Sequence, residues 1–168
     1  GCQIVGGSSS DVFGDDTVAA SLRSVAATRY KPDLIGGDYQ RMVQRALDSE
    51  AALKQSLPDA SRSPWGTPGS TSKTDPLLFY TNPNDGSSQF NPLALQLQLV
   101  ARMISARSNG SIGAKRQVFM VSIGGFDFHS DLLRQHANQM AKLDHAVDFF
   151  QKCLSQMPSG DMRSQVTT

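Results

Sequence analysis

The sequence is poor in the features that most directly announce a function. It has only two cysteines, Cys2 and Cys153, near opposite ends of 168 residues. They give no zinc-ligand spacing, and no disulfide between them can be argued from sequence. No apolar run approaches the ~20 residues that a membrane-spanning helix needs. Charge is sparse and balanced: Asp, Glu, Lys and Arg make up 18% of the chain and leave a net charge of +1. That balance gives no electrostatic footprint for nucleic acid or for an anionic membrane surface. Familiar catalytic signatures are missing as well. Gly6-Gly7-Ser8-Ser9-Ser10 could cradle an anion but matches no P-loop pattern, and it reads as a flexible segment. Gly124-Gly125 is not a dinucleotide fingerprint. Ser122, in Val-Ser-Ile-Gly, is not in a nucleophile elbow. Cys153 has no evident activating neighbour.

What is present is enough for one domain with a real core. Hydrophobic residues make up 39% of the chain, and the polar excess is concentrated in Gly-, Ser- and Pro-rich stretches. The expected organisation is a single partial domain over 1–168, with an irregular segment at 1–37 and a long Pro/Gly/Ser-rich loop at 58–90. The chain begins at Gly1 and stops in Val166-Thr167-Thr168, which reads as a β run just started, so a piece of a longer protein is expected. Gly1-Cys2 fits the end of a lipoprotein cleavage site, but no upstream apolar segment supports that reading.

Residues 1–16 read as loop and 17–30 have weak helical spacing. Gly36-Gly37-Asp38 is expected to open a helix with Asp38 as its N-cap, and Pro58 to close it. Tyr39, Met42, Val43, Ala46, Leu47, Leu53 and Leu57 fall on one helical face. The loop at 58–90 carries Trp65, Phe79, Tyr80 and Phe90, residues a disordered linker mostly lacks. It reads as a surface excursion pinned by aromatics, with a lid or partner-binding loop as the alternative. Asn91-Pro92 is a cap followed by a proline suited to the first helical position. The stripe Leu93, Leu97, Val100, Met103 and Ile104, widened by Leu95 and Leu99, predicts a helix buried over much of its circumference. Asn109-Gly110 should end that helix.

The most informative stretch is 116–139. A nearly continuous apolar run at 118–123 predicts a strand covered on both faces. Gly124-Gly125 ends it, Asp127-Phe128-His129 follow, and a helix over about 132–157 begins, capped by Ser130 or Asp131. Ligand sites in α/β sheets form outside the carboxyl ends of strands. An Asp-x-His pair there supplies two metal donors, although a working site needs three or four. Spacing alone favours Asp127 as a loop cap and His129 as a surface histidine, and it is the position at the strand's end that points to a site. In the last helix, Leu133, Met140, Leu143, Val147, Phe150, Leu154 and Met157 form one stripe. His136 lies within that stripe and is expected as a hydrogen-bonded core histidine rather than a ligand, with support of a neighbouring ligand as the alternative, while His145 should face solvent.

The run Arg-Gln-Val-Phe-Met-Val-Ser-Ile-Gly-Gly-Phe-Asp-Phe-His-Ser-Asp (116–131) resembles the signature of the bacterial DUF1501 proteins, an apolar strand followed by Gly-Gly-aromatic-Asp-Thr-His. The helix around 95–104 resembles the one before that strand, and Gln135-His136 and Leu143-Asp144 match the helix after it. The resemblance covers about 91–157 and extends loosely back to about 38. It implies an α/β, doubly wound, alkaline-phosphatase/sulfatase-like fold, here a helix-rich fragment with one clear buried strand at 118–123. It also implies export to the periplasm, a phosphate or sulfate ester as small-molecule substrate, and a divalent metal ion (zinc, manganese, iron or calcium) held in part by Asp127 and His129. Phe128 departs from the usual Thr, and the family's later Phe-Gly-Arg and His-Gly-rich motifs would lie beyond Thr168. A non-catalytic binding or assembly protein on the same fold is the alternative, with 58–90 as its contact surface.

Overall fold

The computed structural model describes Ser21, Ser24, 34–108 and 116–168. The expected loop at 1–16 and the closing Asn109-Gly110 lie outside the described residues, as does most of the expected helix at 17–30, of which Ser21 and Ser24 are helical. The chain divides into two compact units, Gly1–Gln55 and Ser56–Thr168. The described part is mixed but helix-rich, with three long helices and one small antiparallel sheet.

Helix α1, Leu34–Ser56, starts four residues before Asp38. Gly36 and Gly37 therefore lie inside it, and Asp38 is not its N-cap. The Asp38 carboxylate instead pairs with the Arg41 guanidinium, three residues on. Gln44 similarly donates to Asp48 at 2.9 Å. Such pairs hold a helix surface together one turn at a time. Met42 and Ala46, expected on an apolar face, are exposed.

The second unit is built on α2, Pro92–Ser108, packed against α3, Leu132–Ser155. The expected start of α2 is what the structure has. Asn91 Oδ1 accepts from the Leu93 and Ala94 amides at 3.1 and 3.4 Å, and Pro92 needs no amide partner there. From 92 to 107 only Pro92 is exposed, so α2 is covered nearly all round. Leu93, Ala94, Leu97, Ala101 and Ile104 meet Ala146, Phe149, Phe150, Cys153 and Leu154 of α3 in the core. Each large apolar side chain buried there contributes roughly 1.5–3 kcal/mol.

The buried face of α3 agrees with the expected one at Phe150 and Leu154 and, just past the helix end, at Met157, and differs from it nearer the start of the helix. Gln139, Ala146, Phe149, Phe150, Cys153 and Leu154 face inward, whereas Leu133 is 86% exposed and Leu143 and Val147 are also exposed. Apolar residues lie on two faces of this helix, and the face that meets α2 is the one carrying the small Ala146 and the aromatic Phe149. Correcting the face exchanges the two histidines: His136 is exposed and His145 is half-buried.

The stretch expected as a loop at 58–90 holds a folded arm. A short 3-10 turn, Pro76–Leu78, leads into β1, Phe79–Thr81, which pairs with β2, Ser88–Phe90, in the register Tyr80 opposite Gln89. Gly86 closes the hairpin at φ +72. Trp65, Leu78 and Tyr80 are buried and Phe79 packs edge-on to Phe90. Side chains of the helices grip the arm's carbonyls: Gln98 that of Trp65 at 2.8 Å, Arg102 that of Pro58 at 2.8 Å, and Cys153 that of Pro64 at 3.2 Å. The aromatics thus pin the arm inward and do not form an outward contact surface.

The run at 118–123 is not the doubly covered strand expected. It belongs to no sheet. Its burial alternates with the period of an extended chain: Phe119, Val121 and Ile123 pack against the core, while Val118 and Met120 are 98% and 96% exposed. With no neighbouring strand or helix on its outer face among the described residues, only one side is covered.

Candidate functional site

Two glutamines hold the end of this extended segment. Gln96 of α2 takes both backbone groups of Ser122, accepting from its amide at 3.0 Å and donating to its carbonyl at 2.9 Å. This is how a neighbouring strand would bond one residue. From α3, Gln139 Nε2 donates to the carbonyls of Gly124 and Gly125 at 2.6 and 2.9 Å. The bonds fix the amide's orientation, since a flip would set its oxygen against two carbonyl oxygens. Gln139 Oε1 is buried and has no partner among the described residues.

Gly125 turns the chain at φ +84, a region that side chains disfavour. The loop beyond it leans on α3 through rings: Phe126 against Phe128, and Phe128 edge-on to His136, both with centroids 6.3 Å apart. Asp131 then precedes α3 in the left-handed conformation, φ 47, and makes no side-chain cap bond. Its carboxylate lies 3.9 Å from Arg134 Nε instead. Asp tolerates that conformation better than most residues.

Between these supports the structure brings the two expected donors together. His129 Nε2 lies 3.3 Å from Asp127 Oδ2. Both side chains stand in solvent, at 87% and 89% exposure. The separation suits two ligands of one cation, because the edge of a tetrahedron with bonds of about 2.0–2.1 Å is about 3.4 Å. The set is incomplete: among the described residues no group of three or more His, Cys, Asp or Glu side chains is placed to hold a metal. His136 touches Phe128 rather than either donor. A carboxylate and an imidazole alone can bind a cation weakly and pass a proton between them. They do not exclude water or position a substrate.

A polar cluster that sequence reasoning missed sits where the hairpin meets α3. The Tyr80 hydroxyl lies 2.8 Å from both Gln89 Oε1 and Asn138 Oδ1, and its one hydrogen can be donated to only one of them at a time. Lys142 Nζ lies 5.8 Å from the Tyr80 ring centre. Burial pushes the Tyr80 phenol above its ordinary range and holds the His145 imidazole below its own. Nothing local in the sequence marks the α3 partners Asn138 and Lys142, which lie more than fifty residues from Tyr80. A second missed residue was legible. Asp75-Pro76 repeats the cap-then-proline pattern of Asn91-Pro92, and buried Asp75 caps the 3-10 turn through Leu77 while also accepting from the Thr67 amide and hydroxyl, all at 3.0 Å.

No family model, curated protein or solved structure matches this chain.

Proposed function

We propose that the chain is part of an exported, metal-dependent hydrolase-like protein of the phosphate or sulfate ester class, on a doubly wound α/β fold of the DUF1501 and alkaline phosphatase kind. Asp127 and His129 supply two of the ligands of a divalent cation. The observation that carries the reading is their 3.3 Å separation on a loop tied at Ser122, Gly124 and Gly125 by Gln96 and Gln139. Such a cation polarises an ester oxygen and lowers the pKa of a bound nucleophile. The remaining ligands and the nucleophile come from outside the described residues. In this reading the chain's own contribution is to aim the two donors: Gln139 fixes the turn, and the Phe128–His136 contact sets the loop against α3.

A second reading, a non-catalytic exported binding or assembly protein, is favoured by one observation. Val118, Met120, Leu133 and Val147 leave apolar surface exposed, as contact surfaces do.

The test is metal analysis together with hydrolysis of phosphate and sulfate monoesters by the longest natural form of the protein and its Asp127→Ala variant. Bound metal and turnover, both lost in the variant, support the hydrolase reading. Absent metal, or turnover unchanged by the substitution, contradicts it.

A further inference from the structure

Asn91 is wholly buried and joins three elements. Its amide N–H donates to the Leu78 carbonyl at 2.8 Å, at the root of the hairpin. Its side-chain Oδ1 caps α2 through Leu93 and Ala94. Its Nδ2 reaches α3, donating to the Lys142 carbonyl at 2.7 Å and lying 3.2 Å from His145 Nδ1. Because Oδ1 is committed to two backbone amides, the side chain cannot turn over, and Nδ2 can only donate. His145 Nδ1 must therefore be the acceptor, which makes the imidazole neutral with its proton on Nε2. A second proton on Nδ1 would set N–H against N–H.

We propose that His145 is an acid-operated latch: protonation at Nδ1 breaks its bond from Asn91 and loosens the hairpin and the start of α2 from α3. The groups around the imidazole agree. From its own helix come Asp144 and Asp148, which favour the proton, and Lys152, which opposes it. From the hairpin comes Tyr80, its ring centre 6.5 Å away and its phenol neutral at any pH where histidine titrates. From the start of α2 comes Asn91, which offers only hydrogens. Burial outweighs the two carboxylates, so the imidazole in the folded chain is harder to protonate than in the unfolded one. The sign follows. The latch is fully effective above the ordinary histidine pKa of about 6.5 and is lost as pH falls through the lower folded value. The inference does not depend on metal binding or hydrolysis.

The test is an NMR titration of the His145 ring in the full chain, with hydrogen exchange at the Leu93 and Ala94 amides followed over the same pH range. The expected result is a His145 midpoint below the ordinary value. After correction for intrinsic exchange, protection of the two cap amides should fall roughly three- to tenfold across that midpoint. In His145→Gln, whose side-chain oxygen can still accept from Asn91, protection should no longer change with acid. A His145 midpoint at or above the ordinary value, or cap protection indifferent to His145 titration in the wild-type chain, overturns the proposal. The wild-type measurements decide it even if the variant does not fold.

Discussion

Gln139 occupies the space that a side chain at position 125 would need. A Cβ built on Gly125 would lie 2.5 Å from Gln139 Nε2, the atom that bonds the Gly124 and Gly125 carbonyls. The backbone there is at φ +84. The conformation therefore favours glycine, and a side chain there would also push the end of Gln139 off the carbonyls it holds. Gly125→Ala should cost about 1–3 kcal/mol in denaturant unfolding. Gly124, with nothing within 4 Å of its would-be Cβ and no positive φ, should accept alanine at a cost below about 0.5 kcal/mol. Equal costs at the two positions would count against this account of the turn.

Asp75 anchors the folded arm that lies within 58–90. It is 1% exposed and accepts three hydrogen bonds. Asp75→Ala would leave the Thr67 and Leu77 amides without their acceptor, and should cost about 2–4 kcal/mol. Asp75→Asn keeps one oxygen and should cost less. Gly66 is tied to the same feature, since a Cβ there would come within 2.0 Å of the Ala60 carbonyl oxygen and 2.7 Å of Asp75 Oδ2. Thermal melts of the two variants would rank them, and an Asp75→Ala chain as stable as wild type would refute the anchor.

Burial pushes the Cys153 thiol up to about 12. The thiolate is the reactive species, so Cys153 should resist iodoacetamide in the folded chain near neutral pH and react once denaturant is added. Mass spectrometry of the Cys153 peptide separates it from Cys2. Fast modification under native conditions would show that α3 is not packed as described.

Val118 and Met120 touch little in this fold. Val118→Ser and Met120→Ser should each change stability by less than about 0.5 kcal/mol, whereas Val121→Ser, whose side chain packs on the core, should cost more. Comparable losses at all three positions would mean that the outer face of the segment is covered in solution.

Local chemistry was legible where it was self-sufficient. Asn91-Pro92 fixed the start of α2 because cap and proline act within one turn, and the all-round apolar pattern of α2 announced its burial. The Gly turn that ends the run at 118–123 was legible too, because Gly125 supplies a positive φ by itself. The strand's second cover was not legible, because an apolar run records what a segment can bury rather than what is there to bury it. The face of α3 failed for a related reason. Phe150, Leu154 and Met157 were read as buried and are, but Leu133, Leu143 and Val147 extend their stripe as well as Ala146, Phe149 and Cys153 do, and only the position of α2 decides between them. That single choice carried His136 and His145 with it. The hairpin was missed because each strand has only three residues, too short to show alternation.

The pairing of Asp127 with His129 as cation ligands is tested most directly by adding Mn²⁺ to the chain and following its three histidine rings by NMR. Paramagnetic broadening reports even weak binding, and His136 and His145 serve as internal controls. The account predicts that His129 broadens first, at the lowest Mn²⁺, and that Asp127→Ala removes this preference. Equal broadening of all three rings, or selectivity for His129 that survives Asp127→Ala, would contradict it.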